Sequence, residues 1–261
     1  MKKLFKRLLN NKGLSLTELI VAMFLTSVIL AIAVGMIAPV KNLMNTLKSN
    51  AHMDAMCSTT NEYIRGTLQT ARTLTIVRLD GNNGITQENK DIIEGALNSS
   101  SKVLAVLDVN AGMDDENGDP MDPMFRIFEF DGGLTYGVLA GYIGDLPLLD
   151  DAGYKAFADQ YGAFNEPYYE NTSFVTEFYN SGVGWLQVAS QCYKEGEAIN
   201  QKRILNFNLL NSGVSNLYDE SGNAVSVNIA GEGASNAIEA DKEVNPTLQG
   251  GHSYIIIYTT L

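Results

Sequence analysis

The sequence is poor in the residues that most often carry metal-dependent or nucleophilic chemistry. It holds two histidines, two cysteines and one tryptophan among 261 residues. His52 and His252 stand apart from each other, and neither has a cysteine or carboxylate at the spacing of a zinc motif. Phosphate-binding loops, nucleophile elbows and His/Glu zinc motifs are also missing. The sequence therefore predicts a protein that is not an enzyme and that needs no cofactor.

Basic residues are scarce and unevenly placed. The chain has 18 lysines and arginines against 30 acidic residues, a formal net charge of −12. Five of these basic residues lie within the first twelve positions: Lys2, Lys3, Lys6, Arg7 and Lys12. Nucleic-acid binding depends on clustered cations that displace phosphate counterions, and the remainder of the chain has no such cluster. No nucleic-acid contact is expected from it.

The two cysteines, Cys57 and Cys192, are far apart in the sequence. They lack the short paired spacing of a zinc site. In an exported protein they could form a single disulfide, and the alternative is two separate thiols. The sequence names them as a candidate pair without deciding between these alternatives, because it does not show whether they are close in space.

Residues 14–40 contain no lysine or arginine, and Glu18 is the one charged residue among them. At about 1.5 Å per residue this run would form a helix of roughly 40 Å, enough to cross a bilayer core of about 30 Å. The basic flank before it predicts a cytoplasmic N-terminus and an extracytoplasmic remainder. A single-pass membrane protein is therefore expected.

Two simpler interpretations of this run account for it less well. A cleaved signal peptide could end at the small-residue site formed by Ala31 and Ala33, but the apolar run exceeds the usual length of about 7–15 residues and Glu18 interrupts its start. In an ordinary membrane anchor, Glu18 would lie near the interface and close a capping box with Ser15. That interpretation does not explain why a helical pattern continues beyond the membrane.

The sequence GLSLTELIV, residues 13–21, resembles the processing site of type IV pilins and type II secretion pseudopilins. As in that family, a short basic leader ends in glycine, an apolar residue follows, and glutamate stands at the fifth mature position. Leu14 departs mildly from the phenylalanine that is commonest at the first mature position. The resemblance implies that a prepilin peptidase cuts between Gly13 and Leu14 and N-methylates Leu14. It also implies that Glu18 neutralises the N-terminal amine of a neighbouring subunit during assembly.

The resemblance implies a minor pilin or pseudopilin of a type IV pilus, a type II secretion system or a competence pseudopilus. Expected partners are the prepilin peptidase, other pilins or pseudopilins, the cytoplasmic membrane and the assembly platform, and the expected destination is a cell-surface filament. The large head favours a minor subunit. The alternative is a membrane-anchored extracellular adhesin or carbohydrate-binding protein that is never polymerised.

Beyond Pro39 the helical pattern continues. Gly35 and Pro39 are weak points of the helix, because proline removes an amide donor and clashes with the preceding turn, and the resemblance implies that the helix loosens there in a filament. Apolar residues then recur at helical spacing; they are Val40, Leu43, Met44, Leu47, Ala51, Ala55, Ile64 and Leu68. The predicted organisation is a leader at 1–13, a membrane helix at 14–40, its amphipathic continuation at 41–72 and a β-rich head at 73–261.

In the head, short β-type runs alternate with Gly, Asn and Asp turns. Strands are predicted at 74–79, 103–109, 124–131, 134–139, 174–179, 185–193, 203–210, 224–229 and 254–260. A hairpin is predicted at Asp131–Gly132, a turn at 219–223, and short helices at 86–97 and 151–161. The predicted fold class is α+β, in which a long N-terminal helix packs on an antiparallel sheet with short helical insertions.

Two segments of the head could bind ligands. Asp115, Asn117 and Asp119 have the alternating oxygen spacing that suits calcium, but Pro120 stands where an EF-hand needs glycine and Arg126 where it needs glutamate. A solvated loop is the favoured interpretation, with calcium as the weaker one. The aromatic residues around Trp185 could form a stacking surface for a carbohydrate or partner, but aromatic side chains in strands more often belong to the core.

Overall fold

The computed structural model describes residues 16–170, 172–180, 184–194, 197–200, 202–211, 215–224 and 251–260. Within these residues the helices are α1 (Leu16–Leu68), α2 (Gln87–Ala96), α3 (Tyr136–Asp145), α4 (Asp151–Tyr161) and α5 (Glu166–Tyr169), with a 3₁₀ turn at Leu146–Leu148. The strands are β1 (Thr73–Arg78), β2 (Ser101–Asp108), β3 (Phe125–Phe130), β4 (Ser173–Asn180), β5 (Trp185–Lys194), β6 (Glu197–Ala198), β7 (Arg203–Asn208), β8 (Ser215–Tyr218) and β9 (Tyr254–Thr259). The predicted α+β class is confirmed.

The chain divides into two compact units, Met1–Ser49 and Asn50–Leu261. In the first unit the described residues, 16–49, are helical, and every one of them is exposed. The second unit contains the remainder of α1 and both sheets. There, one face of α1 is buried at helical spacing; its buried residues are Met53, Met56, Cys57, Thr60, Asn61, Ile64 and Leu68.

The first sheet has the strand order β3-β2-β9-β1-β8. Its pairs are antiparallel, except that β1 runs parallel to β8. The C-terminal strand β9 lies between β1 and β2 and reads YIIIYT, with all six residues buried. A strand that is covered on both faces needs such a continuous apolar run rather than an alternating one. The sheet is therefore the central layer of the head.

The two faces of this sheet line two hydrophobic cores. One core combines the buried face of α1 with Ile76, Leu104 and Ile256 of the first sheet and with residues of β4, β5 and β7. The other combines Val103 and Ile257 from the opposite face of the sheet with residues of α2 and α3. The strands β4, β5 and β6 form a second sheet in that order, and β7 pairs with β5. The head is therefore a layered structure with α1 on one side of the first sheet and short helices on the other.

One predicted strand and one predicted hairpin are wrong. Residues 134–139 lead into the helix α3, and no hairpin follows β3 at Asp131–Gly132. Because β3 is the edge strand of its sheet, the chain turns away from the sheet at Gly133, which has φ +86°. Leu139 and Ile143, one helical turn apart, are then buried against the sheet. The apolar residues of this segment follow helical rather than strand spacing.

The other local predictions are close to the observed elements. The predicted helices 86–97 and 151–161 correspond to α2 and α4, which Thr86 and Asp150 cap by accepting bonds from Asn89 N and Gly153 N. The predicted turn at 219–223 closes through a bond from Asp219 N to Asn223 O of 2.9 Å. The predicted strand 224–229 lies almost wholly outside the described residues, and β8 was not predicted.

Candidate functional site

The apolar part of α1 is the surface most suited to a specific role. Among residues 16–40, Glu18 is the single ionisable side chain, and it lies in the first described turn of the helix. Large apolar side chains dominate the surface around it; Leu16 is 77% exposed and Phe24 is 66% exposed. Among the described residues, α1 is the one helix long and apolar enough to span a membrane. It fits a single membrane anchor near the N-terminus.

Two hydroxyl groups of this segment bond to the helix itself. Thr26 Oγ1 donates to Ala22 O at 2.7 Å, and Ser27 Oγ donates to Phe24 O at 2.7 Å. In hydrocarbon a polar group without a partner costs several kcal/mol, about the cost of one unmade hydrogen bond. These two hydroxyls therefore add little to the cost of placing the helix in lipid.

The predicted processing residues Gly13 and Leu14, and the predicted capping residue Ser15, lie outside the described residues. The helix continues without interruption through Gly35 and Pro39. Apart from the nearby backbone of its own helix, an alanine-sized side chain at Gly35 would meet nothing within 4 Å. The loosening of the helix at these two positions stays a prediction.

The structure brings together the two cysteines. Cys57 Sγ and Cys192 Sγ lie 3.1 Å apart, both side chains are fully buried, and both are free thiols in this structure. The hydrogen bond to Cys57 raises the pKa of the Cys192 thiol, and burial acts in the same direction. The candidate disulfide stays a prediction, but the two cysteines are close in space, which the sequence could not show.

The weak calcium candidates are engaged in a turn. Asp115 Oδ1 accepts bonds from Asn117 N at 2.8 Å and Asp119 N at 3.0 Å. These amides hold the pKa of Asp115 below its ordinary value. The described parts of the chain contain no group of three or more His, Cys, Asp or Glu residues that could hold a metal ion.

The aromatic region divides between core and surface. Tyr169, Phe174 and Phe178 are buried, whereas Trp185 is 46% exposed. Tyr168 stacks on Phe164 with ring centroids 4.3 Å apart. Most of these side chains therefore act as core, as the favoured interpretation expected, and Trp185 alone among them presents a large open face.

Two carboxylate clusters, one buried around Glu177 and one half-buried around Glu129, were not predicted from the sequence. Glu177, 8% exposed, accepts a bond from the hydroxyl of Tyr254 and lies 2.7 Å from Nδ1 of His252. Glu129 accepts bonds from the hydroxyls of Tyr63 at 2.7 Å and Tyr258 at 3.0 Å. The sequence signal is a glutamate inside a predicted strand, and the partners come from distant segments. The clusters have the geometry of structural bonds between layers.

Burial dominates the electrostatics of the tyrosines in these clusters. It raises the pKa of Tyr254 well above its ordinary value, and the adjacent charge of Glu177 acts in the same direction. Burial likewise raises the pKa of Tyr63 and Tyr258, with Glu129 adding to the effect. These phenols remain protonated donors at neutral pH, so they are suited to holding carboxylates rather than to acid–base chemistry.

Comparison with known proteins bears on the N-terminal segment. A family model described as the prokaryotic N-terminal methylation motif matches residues 8–34. No curated protein and no solved structure matches the chain. The matched residues include the Gly13–Leu14 bond, Glu18 and most of the apolar helix. The chain therefore carries, at residues 8–34, the class III signal of type IV pilins and pseudopilins.

Proposed function

We propose that the protein is a minor pilin or pseudopilin that is assembled through its N-terminal helix into a type IV pilus, type II secretion or competence filament. The observation that carries this proposal is the methylation motif at 8–34 together with Glu18 as the one ionisable group of residues 16–40. Proteins with this motif serve as structural subunits, so no catalytic role is assigned. In the proposed topology the N-terminus of the membrane-inserted subunit is cytoplasmic and its head is extracytoplasmic, and after assembly the subunit belongs to a cell-surface filament.

Cleavage after Gly13 creates a free amine at Leu14, four residues before Glu18. A carboxylate and an amine in an apolar medium each carry a large desolvation cost, which an ion pair between them offsets. In the proposed filament, Glu18 of one subunit pairs with the amine of its neighbour. Because this amine does not exist before cleavage, processing by the prepilin peptidase controls assembly with other pilins at the membrane platform.

The first experiment measures the mature N-terminus. The full chain is co-expressed with a prepilin peptidase, and its N-terminal peptide is analysed by mass spectrometry. We expect cleavage between Gly13 and Leu14 with a methyl group on Leu14, and we expect Gly13→Val to abolish it. An intact Gly13–Leu14 bond, or cleavage after Ala33, would contradict the proposal and favour a membrane-anchored adhesin that is not polymerised.

The second experiment separates the two roles of Glu18. Glu18→Ala removes both its charge and its capping group, whereas Glu18→Gln keeps a carbonyl acceptor for the first turn and removes the charge. We expect both variants to be cleaved normally and to be incorporated poorly into filaments, measured as the ratio of sheared to membrane-bound protein. Normal incorporation of Glu18→Gln would show that Glu18 is a helix cap only.

A further inference from the structure

The pairing of Cys57 with Cys192 joins two parts of the head that the chain itself connects only over a long distance. Cys57 lies on the buried face of α1, and Cys192 lies in β5 of the second sheet. They are 135 positions apart, yet their sulfur atoms are 3.1 Å from each other. A disulfide bond is about 2.05 Å long, so a movement of roughly 1 Å separates this contact from a bond.

The backbones on both sides of the contact are fixed by other interactions. In β5, Cys192 is paired with Phe174 of β4. The side chain of Asn200 accepts a bond from Cys192 N at 2.9 Å, and its Nδ2 lies 3.3 Å from both Cys57 Sγ and Asp54 Oδ1. One amide therefore contacts both members of the pair. Asn200 therefore holds both the sulfur of Cys57 and the backbone of Cys192 in position, so the contact is more than loose packing.

We propose that Cys57 and Cys192 form an intramolecular disulfide that fastens the second sheet to α1. The chain contains two cysteines in all, and these two meet in the core. Free buried cysteines act as small apolar residues and have no preference for one another. In the extracytoplasmic head assigned under the proposed function, thiols in such contact are readily oxidised. The inference depends on the proposed function only because that function assigns the head to this compartment.

The oxidation requires a disulfide oxidant of the glutathione or thiol–disulfide oxidoreductase class. One cysteine thiolate attacks a sulfur of that oxidant, forms a mixed disulfide and releases one oxidant thiolate. The second cysteine thiolate then attacks the sulfur of the first and releases the other. The protons that the two cysteines lose neutralise the two released thiolates. Because both sulfurs are fully buried in the folded head, this exchange takes place before β5 has packed on α1.

The bond would close a loop of about the 135 residues that separate the cysteines. In the chain-entropy account a cross-link over this distance lowers the population of the unfolded state by roughly four thousandfold. The second sheet would gain most, since apart from the long connecting chain its contacts with α1 are non-covalent. We therefore expect reduction to shift the unfolding midpoint of the oxidised head to a lower denaturant concentration.

The test uses the full chain purified in detergent, reduced, unfolded and then refolded with oxidised glutathione. The product is denatured in the presence of a thiol-alkylating reagent, digested and analysed by mass spectrometry with and without dithiothreitol. We expect a cross-linked peptide pair that contains Cys57 and Cys192 and is split by the reductant. Alkylation of both cysteines after refolding would overturn the proposal.

Two variants make the result independent of folding efficiency. Cys57→Ala and Cys192→Ala each remove the bond, and each variant should unfold at the same midpoint under oxidising and reducing conditions. If oxidised and reduced wild-type protein unfold at the same midpoint, the proposed fastening is refuted. Failure of cleavage after Gly13 would contradict the proposed function and leave this test unaffected, because it requires only the folded head and a defined oxidant.

Discussion

The buried carboxylate of Glu177 offers a direct test of how the layers of the head are held together. It lies on β4 of the second sheet, and its partner Tyr254 lies on β9 of the first. Tyr254 is 1% exposed, and its hydroxyl donates to Glu177 Oε2. His252 Nδ1 lies 2.7 Å from Oε1. Replacing Tyr254 by phenylalanine removes one donor and leaves the ring in place.

The expected loss follows from the charge and burial of the acceptor. A hydrogen bond to a charged group contributes about 1.5–3 kcal/mol to stability, and a buried acceptor left without its donor suffers most of that loss. A cavity of about 120 Å³ adjoins Glu177 and Tyr254. It has room for a water molecule, which in the variant would donate to Glu177 in place of the Tyr254 hydroxyl and recover part of the lost stability. We therefore expect Tyr254→Phe to lower the free energy of unfolding by about 1.5–2 kcal/mol.

Tyr258→Phe is the matched control. It makes the same change on the same face of β9, at a residue that is 2% exposed. Its acceptor, Glu129, is only half-buried and keeps the bond from Tyr63. We expect a loss below about 1 kcal/mol for this variant. Urea denaturation of the two variants and the wild type, followed by circular dichroism, measures both values. A Tyr254→Phe loss no larger than that of Tyr258→Phe would refute the reasoning.

Three further predictions concern other parts of the head. Burial raises the pKa of Tyr63 and Tyr169 above the ordinary 10.0. Because the unfolded chain then loses these protons at a lower pH than the folded head, the free energy of unfolding should fall as pH rises above about 10. Denaturation at several pH values, with tyrosinate absorbance recorded in parallel, measures this fall. Arg126 is 2% exposed and donates to two backbone carbonyls, so Arg126→Lys should cost about 2 kcal/mol in urea denaturation. Ile64→Ala should cost about 2–5 kcal/mol, whereas the matched change Ile32→Ala, at a residue 54% exposed, should leave the head's midpoint unchanged.

The sequence predicted most elements of the head because their signals are local. The runs that became β2, β5 and β9 are rich in β-branched and apolar residues, and Thr86 and Asp150 mark two helix starts. The order of the strands depends on non-local pairing instead. Nothing near Tyr254 in the sequence indicates that its strand lies between β1 and β2, and the short β8 has too few residues to show a period.

The N-terminal signal could be predicted in detail because it is a contiguous pattern of charge, glycine, apolar residues and Glu18. The contacts within the head could not be predicted, because they join residues that are far apart in the sequence. Glu177 and Tyr254 are 77 positions apart, and Cys57 and Cys192 are 135 apart. A carboxylate inside a strand predicts a buried partner only after the fold has shown which face is covered. Sequence reasoning therefore named the two cysteines but could not decide whether they meet.

The burial pattern of α1 shows that one helix serves two different environments. From residue 16 to residue 51 every side chain is exposed, and burial in the head begins at Met53. So large an exposed apolar surface is not stable in water, since soluble proteins rarely expose contiguous apolar patches beyond a few hundred Å². Lipid covers this surface in a membrane anchor, and neighbouring helices cover it in the proposed filament. In the proposed filament the amine of a neighbouring subunit would lie beside Glu18, and an ion pair between them would favour one register of neighbouring subunits.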